Sequence, residues 1–483
     1  MNEYYIASVQ NRIQPVVQNM EVAEGVCRLE STLVFNLHTT DCVDADEAVK
    51  LCKSYWQADI NIRKNPLTRE RPAEGYELEA VPGQLDVYCA DRSGLLNAFK
   101  SMRMLAESER GVMTSNLWQL PCVKIQDAPR FAFRGLHICY FPETEPWQIE
   151  KYIRIAAAMK FNYLVLESWG RIRFDSHPEF CFSEYGVDPQ QIRDFVKLGK
   201  ELGITLIPQF GIFGHAAMAR CCSGKHALLN EHPEYAPLFE PDGWSWCISN
   251  PATRQYLEDI VLELCDMFDN PPYFHIGCDE AYNAGSCSLC ADGFEKKLEE
   301  HIIYFHNLLK SRNSRTLMWH DMLLVQGTPE YRGFRAYGSE RTRNLYKALP
   351  RDIMLCDWEY NYCAPDYDPE WPTVKFFKEQ GFEIILCPWK DSEFTKDLGH
   401  QADKHNLEGV LGTTWHHFRA GNFALILKSA SQAAWMPNKQ TPRHVVPREY
   451  INKILRCIDS DMNMQTYDKF GNIVKQYSVD TIA

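Results

Sequence analysis

The sequence predicts an α/β fold: a (β/α)8 TIM barrel preceded by a small α/β domain. Three observations carry that reading. From Phe131 onward, eight short apolar segments alternate with amphipathic stretches. The eight strand–helix units occupy about 300 residues, the length such a barrel needs. Each apolar segment ends in polar or aromatic residues, as expected where barrel strands open onto one active face. A doubly wound open sheet is the competing arrangement, and the uniform strand ends favour the barrel.

The N-terminal α/β domain is placed at residues 1–127, where strand and helix patterns mix. In "DADEAVKLCKSYW", Asp44 is an N-cap, with Ala48, Leu51, Cys52 and Tyr55 on one helical face. "EGYELEAVPGQLDVYCA" reads as two alternating strands joined by a turn at Pro82-Gly83. "DRSGLLNAFKSMRMLAES" follows as an amphipathic helix carrying Leu95, Leu96, Phe99 and Met102. Pro129 then breaks the chain, and residues 128–440 are assigned to the barrel. Its strands are "FRGLHIC", "YLVLES", "TLIPQF", "YFHIG", "TLMWHD", "IMLCDW", "EIILCPW" and "GVLGTTW", with helices such as "EKYIRIAAAMK" and "QQIRDFVKLGKELG" between them. Residues 441–483 are expected to form a helical tail, on the pattern of "REYINKILRCI".

Bulk composition narrows the function classes. Hydrophobic residues are 45% and charged residues 24%, an ordinary globular mix. A formal net charge of -13 argues against nucleic acid or an anionic membrane as the partner. No run of about 18 apolar residues is present to span a bilayer. The opening "MNEYYIASVQNRIQ" lacks a basic region followed by an apolar one, so no signal peptide is expected. Several of the 18 cysteines, Cys139, Cys356 and Cys387 among them, stand alone in apolar strands, which points to a reducing cytoplasm.

The strand ends carry the chemistry. Asp279 and Glu280 close the fourth strand as adjacent acids, with little polar relief before them. Like charges that close raise the pKa of at least one partner, which suits a site needing one ionised and one protonated carboxyl. Strands five to eight end in Trp319, Trp358, Trp389 and Trp415, and Tyr360 and Tyr362 follow the sixth. Four indoles at one barrel mouth would stack on the C–H faces of a pyranose. "PQFGIFGHAAMAR" closes the third strand with glycines that imply close backbone approach, and its His215 either orients a carboxylate or satisfies a loop carbonyl.

Taken together, these segments resemble glycoside hydrolase family 20, the β-N-acetylhexosaminidases. "HIGCDE" is similar to the family's H-x-G-G-D-E signature, "RGLHI" to its first barrel strand, and "PQFGIFGH" to its third-strand loop. The similarity runs in order from Glu74 to Phe418. It implies an exo-acting hydrolase that needs no cofactor and removes terminal β-linked GlcNAc or GalNAc from an oligosaccharide or glycoconjugate, with retention of configuration. In that family the substrate's own 2-acetamido carbonyl is the nucleophile. By the resemblance, Asp279 would hold the acetamide N–H and Glu280 would be the acid and then the base. Trp319, Trp358 and Trp415 would box the acetamide methyl, and Tyr360 or Tyr362 would complete that pocket. His215 and His275 would lie behind the acids.

The chain also departs from the family pattern. "HICYFPETEP" stands where many members place a sugar-gripping arginine, Trp415-His416-His417 stands where many read Trp-Gly-Glu, and Gly211 replaces a usual acid. The hydroxyl-reading end of the pocket is therefore expected to be rebuilt, with Glu143, Glu167, Arg171 or Asp391 as replacements and GalNAc accepted comparably with GlcNAc. A sugar-binding barrel without activity is the alternative that these departures raise. Finally, "GSCSLC" sets Cys287 and Cys290 just after the acids, and "ARCCSGKH" sets Cys221 and Cys222 in the preceding loop. A C-x-x-C can be half of a structural zinc site.

Overall fold

A computed structural model describes residues 3–56, 58–108, 118–142, 144–181, 186–216, 228–331, 333–360, 371–389, 392–415, 420–439, 464–467 and 473–477. The chain divides into two compact units. One gathers Met1–Arg130, Arg154–Lys160 and Arg419–Ala483; the other gathers Phe131–Ile153 and Phe161–Phe418.

The first unit is built on a mixed sheet. Its order is Asn19–Leu29, Trp118–Asp127, Tyr76–Val81, Gln84–Cys89, Val34–Thr39 and Ile62–Pro66, with Glu107–Ser108 beside Trp118–Asp127. The expected Pro82-Gly83 turn joins the two strands of "EGYELEAVPGQLDVYCA", with Val81 opposite Gln84. The helix Ala45–Trp56 starts where Asp44 accepts from the Asp46 amide at 3.0 Å. Its buried face is Ala48, Cys52 and Trp56, and Trp56 stacks on Phe99 of the helix Arg92–Leu105 at 5.5 Å. In the heart of this unit Asp127 takes bonds from Lys160 Nζ at 2.7 Å, Trp435 Nε1 at 2.9 Å and the Tyr76 hydroxyl at 3.1 Å. A buried carboxylate is tolerated only when paired and hydrogen-bonded in this way. The pairing also explains why the helix Ala420–Trp435 groups with the N-terminal residues.

The second unit is a closed parallel barrel of eight strands: Phe133–Tyr140, Tyr163–Ser168, Thr205–Gln209, Tyr273–His275, Arg315–Trp319, Met354–Trp358, Glu383–Cys387 and Gly409–Thr413. These are the eight segments expected from the sequence, each paired with its neighbours in sequence order. The eighth strand closes on the first, with Gly409 opposite Phe133 and Thr413 opposite His137. Closure at Gly409 is tight: a Cβ there would lie 1.8 Å from the Phe133 carbonyl oxygen. Phe133, Val165, Ile207, Leu317, Met354, Ile385 and Leu411 fill the interior, and above them the strand ends turn polar and aromatic. Capped helices return the chain between strands. Asp188 accepts from the Gln190 amide at the start of Pro189–Leu202, and Asn250 accepts from Ala252 at the start of Pro251–Met267.

The expected helical tail differs where it is described. Met464–Tyr467 pairs antiparallel with Ile473–Tyr477. Thr466, Tyr467, Ile473 and Tyr477 are strand-prone residues. "REYINKILRCI" itself lies outside the described residues. Among the described residues no helix is long and apolar enough to cross a membrane.

Candidate active site

The acids leave the fourth strand through a run of left-handed backbone. Gly277, Cys278 and Glu280 have φ of 70°, 71° and 49°, and His215 and Trp415 have 55° and 46°. Non-glycine residues held there cost about 1–3 kcal/mol each, and such strain clusters at functional sites. The third-strand loop comes close enough to force a glycine. A Cβ on Gly214 would meet the Asp279 carbonyl oxygen at 2.1 Å. The close approach expected of "PQFGIFGH" is thus aimed at the acids.

That approach delivers His215. Its Nε2 lies 3.2 Å from Asp279 Oδ2 and 3.3 Å from Glu280 Oε2, so the imidazole orients carboxylates. Its ring packs on Trp244 at 4.5 Å, and Trp244 Nε1 donates to the Glu280 carbonyl at 2.7 Å. The two acids differ in exposure: the Asp279 side chain is 7% exposed and that of Glu280 29%. Glu280 Oε1 also accepts from the Tyr282 hydroxyl at 3.0 Å. Burial, then the Glu280 charge, pushes the Tyr282 phenol well above its ordinary range, so it remains a donor.

The indoles converge as expected. Trp319 is buried at the end of the fifth strand, 5.8 Å from Trp415. Trp358 lies 5.0 Å from Tyr360, which lies 5.1 Å from Trp389. The Tyr360 oxygen accepts from Trp415 Nε1 at 2.9 Å and lies 3.4 Å from Thr413 Oγ1, whose single hydrogen goes to the Pro388 carbonyl at 2.8 Å. His275 sits one step back, where its Nδ1 accepts from the Gly277 amide at 3.0 Å and its ring faces Trp319 at 4.4 Å. It shapes the turn that carries the acids. Tyr362, Cys221 and Cys222 lie outside the described residues, as do Glu143 and Asp391.

A family model, "Glycosyl hydrolase family 20, catalytic domain", matches residues 131–420, the span that builds this mouth. The chain belongs to glycosyl hydrolase family 20. A β-hexosaminidase of Porphyromonas gingivalis is 26% identical over 432 residues, covering 79% of this chain and 55% of that protein. One from Vibrio furnissii is 26% identical over 368 residues, covering 66% and 57%. The chain therefore spans little more than half the length of these curated relatives. Two solved structures share the fold. The exo-β-N-acetylglucosaminidase of Vibrio harveyi, in complex with N-acetylglucosamine, aligns with a TM-score of 0.68 at 16% identity, over 93% of this chain and 77% of that one. The β-N-acetylhexosaminidase of Bacteroides fragilis aligns with 0.65 at 18%, over 92% and 94%.

Within this family 20 barrel, one contributor escaped the sequence reading. Asp321 follows the fifth strand by two residues and is fully buried. Its Oδ2 accepts from the Glu280 amide at 2.9 Å and its Oδ1 from Trp358 Nε1 at 2.9 Å. One carboxyl thus ties the acid loop to an aromatic wall. Burial first, and Asp279 second, raises its pKa to about 8. The "TLMWHD" stretch carries the signal, an acid just past a strand end.

Asp321→Asn should separate these effects. Asparagine offers one acceptor oxygen, so either the Glu280 amide or the Trp358 indole is left buried without a partner, at about 1–3 kcal/mol. The variant should melt earlier and turn over more slowly. The folded pKa lies above the unfolded one, so the native chain holds the proton more tightly and this group's contribution to stability falls as pH rises from about 4 to about 8. The gap in Tm between wild type and variant should shrink across that window. A gap constant with pH would mean that Asp321 does not titrate there.

Glu167 and Arg171, suggested as readers of the sugar's outer hydroxyls, are 1% and 5% exposed. Glu167 Oε2 lies 3.0 Å from His137 Nε2, and the His137 ring is 4.8 Å from that of Trp415. Arg171 lies over the Tyr140 ring at 5.9 Å. Both are therefore packed into the rim of the barrel, beneath the surface that a solvated charge would occupy.

Proposed function

We propose that this chain is a retaining exo-β-N-acetylhexosaminidase that takes oligosaccharides or glycoconjugates ending in β-linked GlcNAc or GalNAc. The observation that carries the reading is the pair Asp279 and Glu280, bridged by His215 and facing converging indoles. The acetamido carbonyl oxygen attacks C1 as the glycosidic bond breaks, and Glu280 gives its proton to the departing oxygen. Asp279 accepts from the acetamide N–H and stabilises the positive oxazolinium ion that forms. Water then adds at C1, Glu280 takes its proton, and the oxazoline ring reopens with overall retention.

The environments suit those parts. The more exposed Glu280 can meet a leaving group and then water, while the more buried Asp279 sits where a fixed negative charge acts most strongly. Trp319, Trp358 and Trp415 would enclose the acetamide methyl, with the Tyr360 hydroxyl as donor to its carbonyl. No cofactor enters this scheme, and any metal held by the neighbouring thiols would be structural. A reducing, cytoplasmic setting is part of the proposal, supported by buried thiols outside any disulfide such as Cys356 and Cys387.

Incubation with matched aryl β-GlcNAc and β-GalNAc glycosides tests the reading. Both should be cleaved, with kcat/KM values within about 100-fold of each other, near 2.7 kcal/mol. A larger preference would mean that the C4 hydroxyl is read stringently. Binding without turnover on either sugar would sink the enzyme assignment.

A further inference from the structure

Two loops beside the acids bring together cysteines that are distant in sequence. Cys247 ends the "WSWC" stretch, and Cys287 and Cys290 form the C-x-x-C of the loop that follows Glu280. The Cys247 Sγ lies 3.5 Å from that of Cys287 and 3.7 Å from that of Cys290, and all three sulfurs lie within 4.8 Å of one another. We propose that Cys247, Cys287 and Cys290 bind a structural zinc ion that fastens the acid-bearing loop to the loop before the helix Pro251–Met267.

The spacing carries the argument. Zn–S bonds of about 2.3 Å at tetrahedral angles place sulfurs about 3.8 Å apart. The observed separations are close to that, and far from the ~2.05 Å of a disulfide. Three converging thiols also leave one over from any single disulfide, whereas a thiophilic d10 ion uses all three. The surroundings hold the ligands in place. Glu240, itself 2% exposed, accepts from the Gly285 amide at 3.1 Å, the Cys287 amide at 2.7 Å and the Ser286 hydroxyl at 3.2 Å. Those bonds curl the loop backbone around the cluster. The C-x-x-C segment turns on itself, with the Cys290 and Ala291 amides donating to the Cys287 carbonyl. Ser249 lies 3.2 Å from the Cys290 sulfur.

Burial orients the site. Cys247 and Cys290 are buried, while Cys287 is half-exposed, so metal reaches the cluster from the Cys287 side. Among the described residues three thiolates form the set, which leaves one position of a tetrahedral ion. The Cys287–Cys290 pair was legible as C-x-x-C. Cys247 was not, because it is 40 residues from Cys287 and carries no spacing signal. The consequence is mechanical. Tyr282, which touches Glu280, stands five residues before Cys287 in the same loop, and the ion would limit that loop's excursions. The proposal is independent of the reaction and stands whether or not the chain cleaves glycosides.

The test reads metal directly. Full-length protein made with zinc supplied and thiols kept reduced, then dialysed against metal-free buffer, should carry about one zinc per chain by elemental analysis. Cys247→Ser should lose that zinc, while Cys42→Ser, at an exposed cysteine, should keep it. Because a cysteine variant can simply misfold, wild type is also titrated with a thiol reagent before and after chelation. Three further thiols should react once zinc is removed, and Tm should fall. Folded wild type with less than about a tenth of a zinc per chain would overturn the site, as would a Cys247→Ser protein that keeps its metal. A disulfide between any two of the three in the reduced preparation would overturn it equally.

Discussion

Glu280→Gln should lower kcat by about 10²–10⁴-fold on substrates with poor leaving groups, the range that general acid catalysis supplies. Glutamine preserves the volume and still offers an oxygen to the Tyr282 hydroxyl, now 3.0 Å from Glu280 Oε1. What it lacks is a transferable proton. An activated aryl leaving group departs without protonation, so its glycosylation step should suffer far less. The second step needs the same residue as base, so the aryl substrate should instead accumulate intermediate, seen as a burst of released aryl alcohol followed by slow turnover. His215 provides a control. Its Nε2 touches both carboxylates, so His215→Ala should weaken both leaving-group classes together. Equal losses of kcat/KM, which reports the glycosylation step, across leaving groups in Glu280→Gln would remove Glu280 from the role of acid.

The barrel was legible because its strands are short, apolar and separated by amphipathic helices, and length together with period distinguishes those two patterns. The acids were legible because two charges after "YFHIG" have no bland reason to stand at a buried strand end. The aromatic mouth followed from barrel geometry, since residues at the ends of separate strands meet only if the sheet closes. What escaped was contact between segments whose separation in sequence carries no pattern. Asp321 reaches 41 residues back to the Glu280 amide, and Cys247 meets a C-x-x-C 40 residues on. His215 left two readings open until the Gly214 approach to the Asp279 carbonyl settled which group it serves. Glu167 and Arg171 show the limit from the other side. Their position near strand ends fitted hydroxyl-reading side chains, while their burial and their neighbours His137 and Tyr140 carried no signal in the sequence. A charge in sequence does not disclose its depth.

Asp279→Ala should lower kcat by about 10²–10³-fold, as expected when a preorganised charge facing a developing cation is removed. KM should change much less, because the interaction strengthens as positive charge forms and is weak in the ground state. Burial favours that outcome: at 7% exposure, Asp279 acts through little water, so its charge is only weakly screened. The substrate supplies a second arm. A β-glucoside with hydroxyl in place of the acetamide has no internal nucleophile, so wild type should turn it over very poorly. On that substrate Asp279→Ala should cost almost nothing more, since the N–H and the oxazolinium it serves are both gone. The two removals should therefore be strongly non-additive, as for partners in one interaction. Efficient hydrolysis of the plain glucoside, or an equal penalty from Asp279→Ala on both substrates, would exclude the acetamide as nucleophile and turn Asp279 into a general electrostatic or structural group.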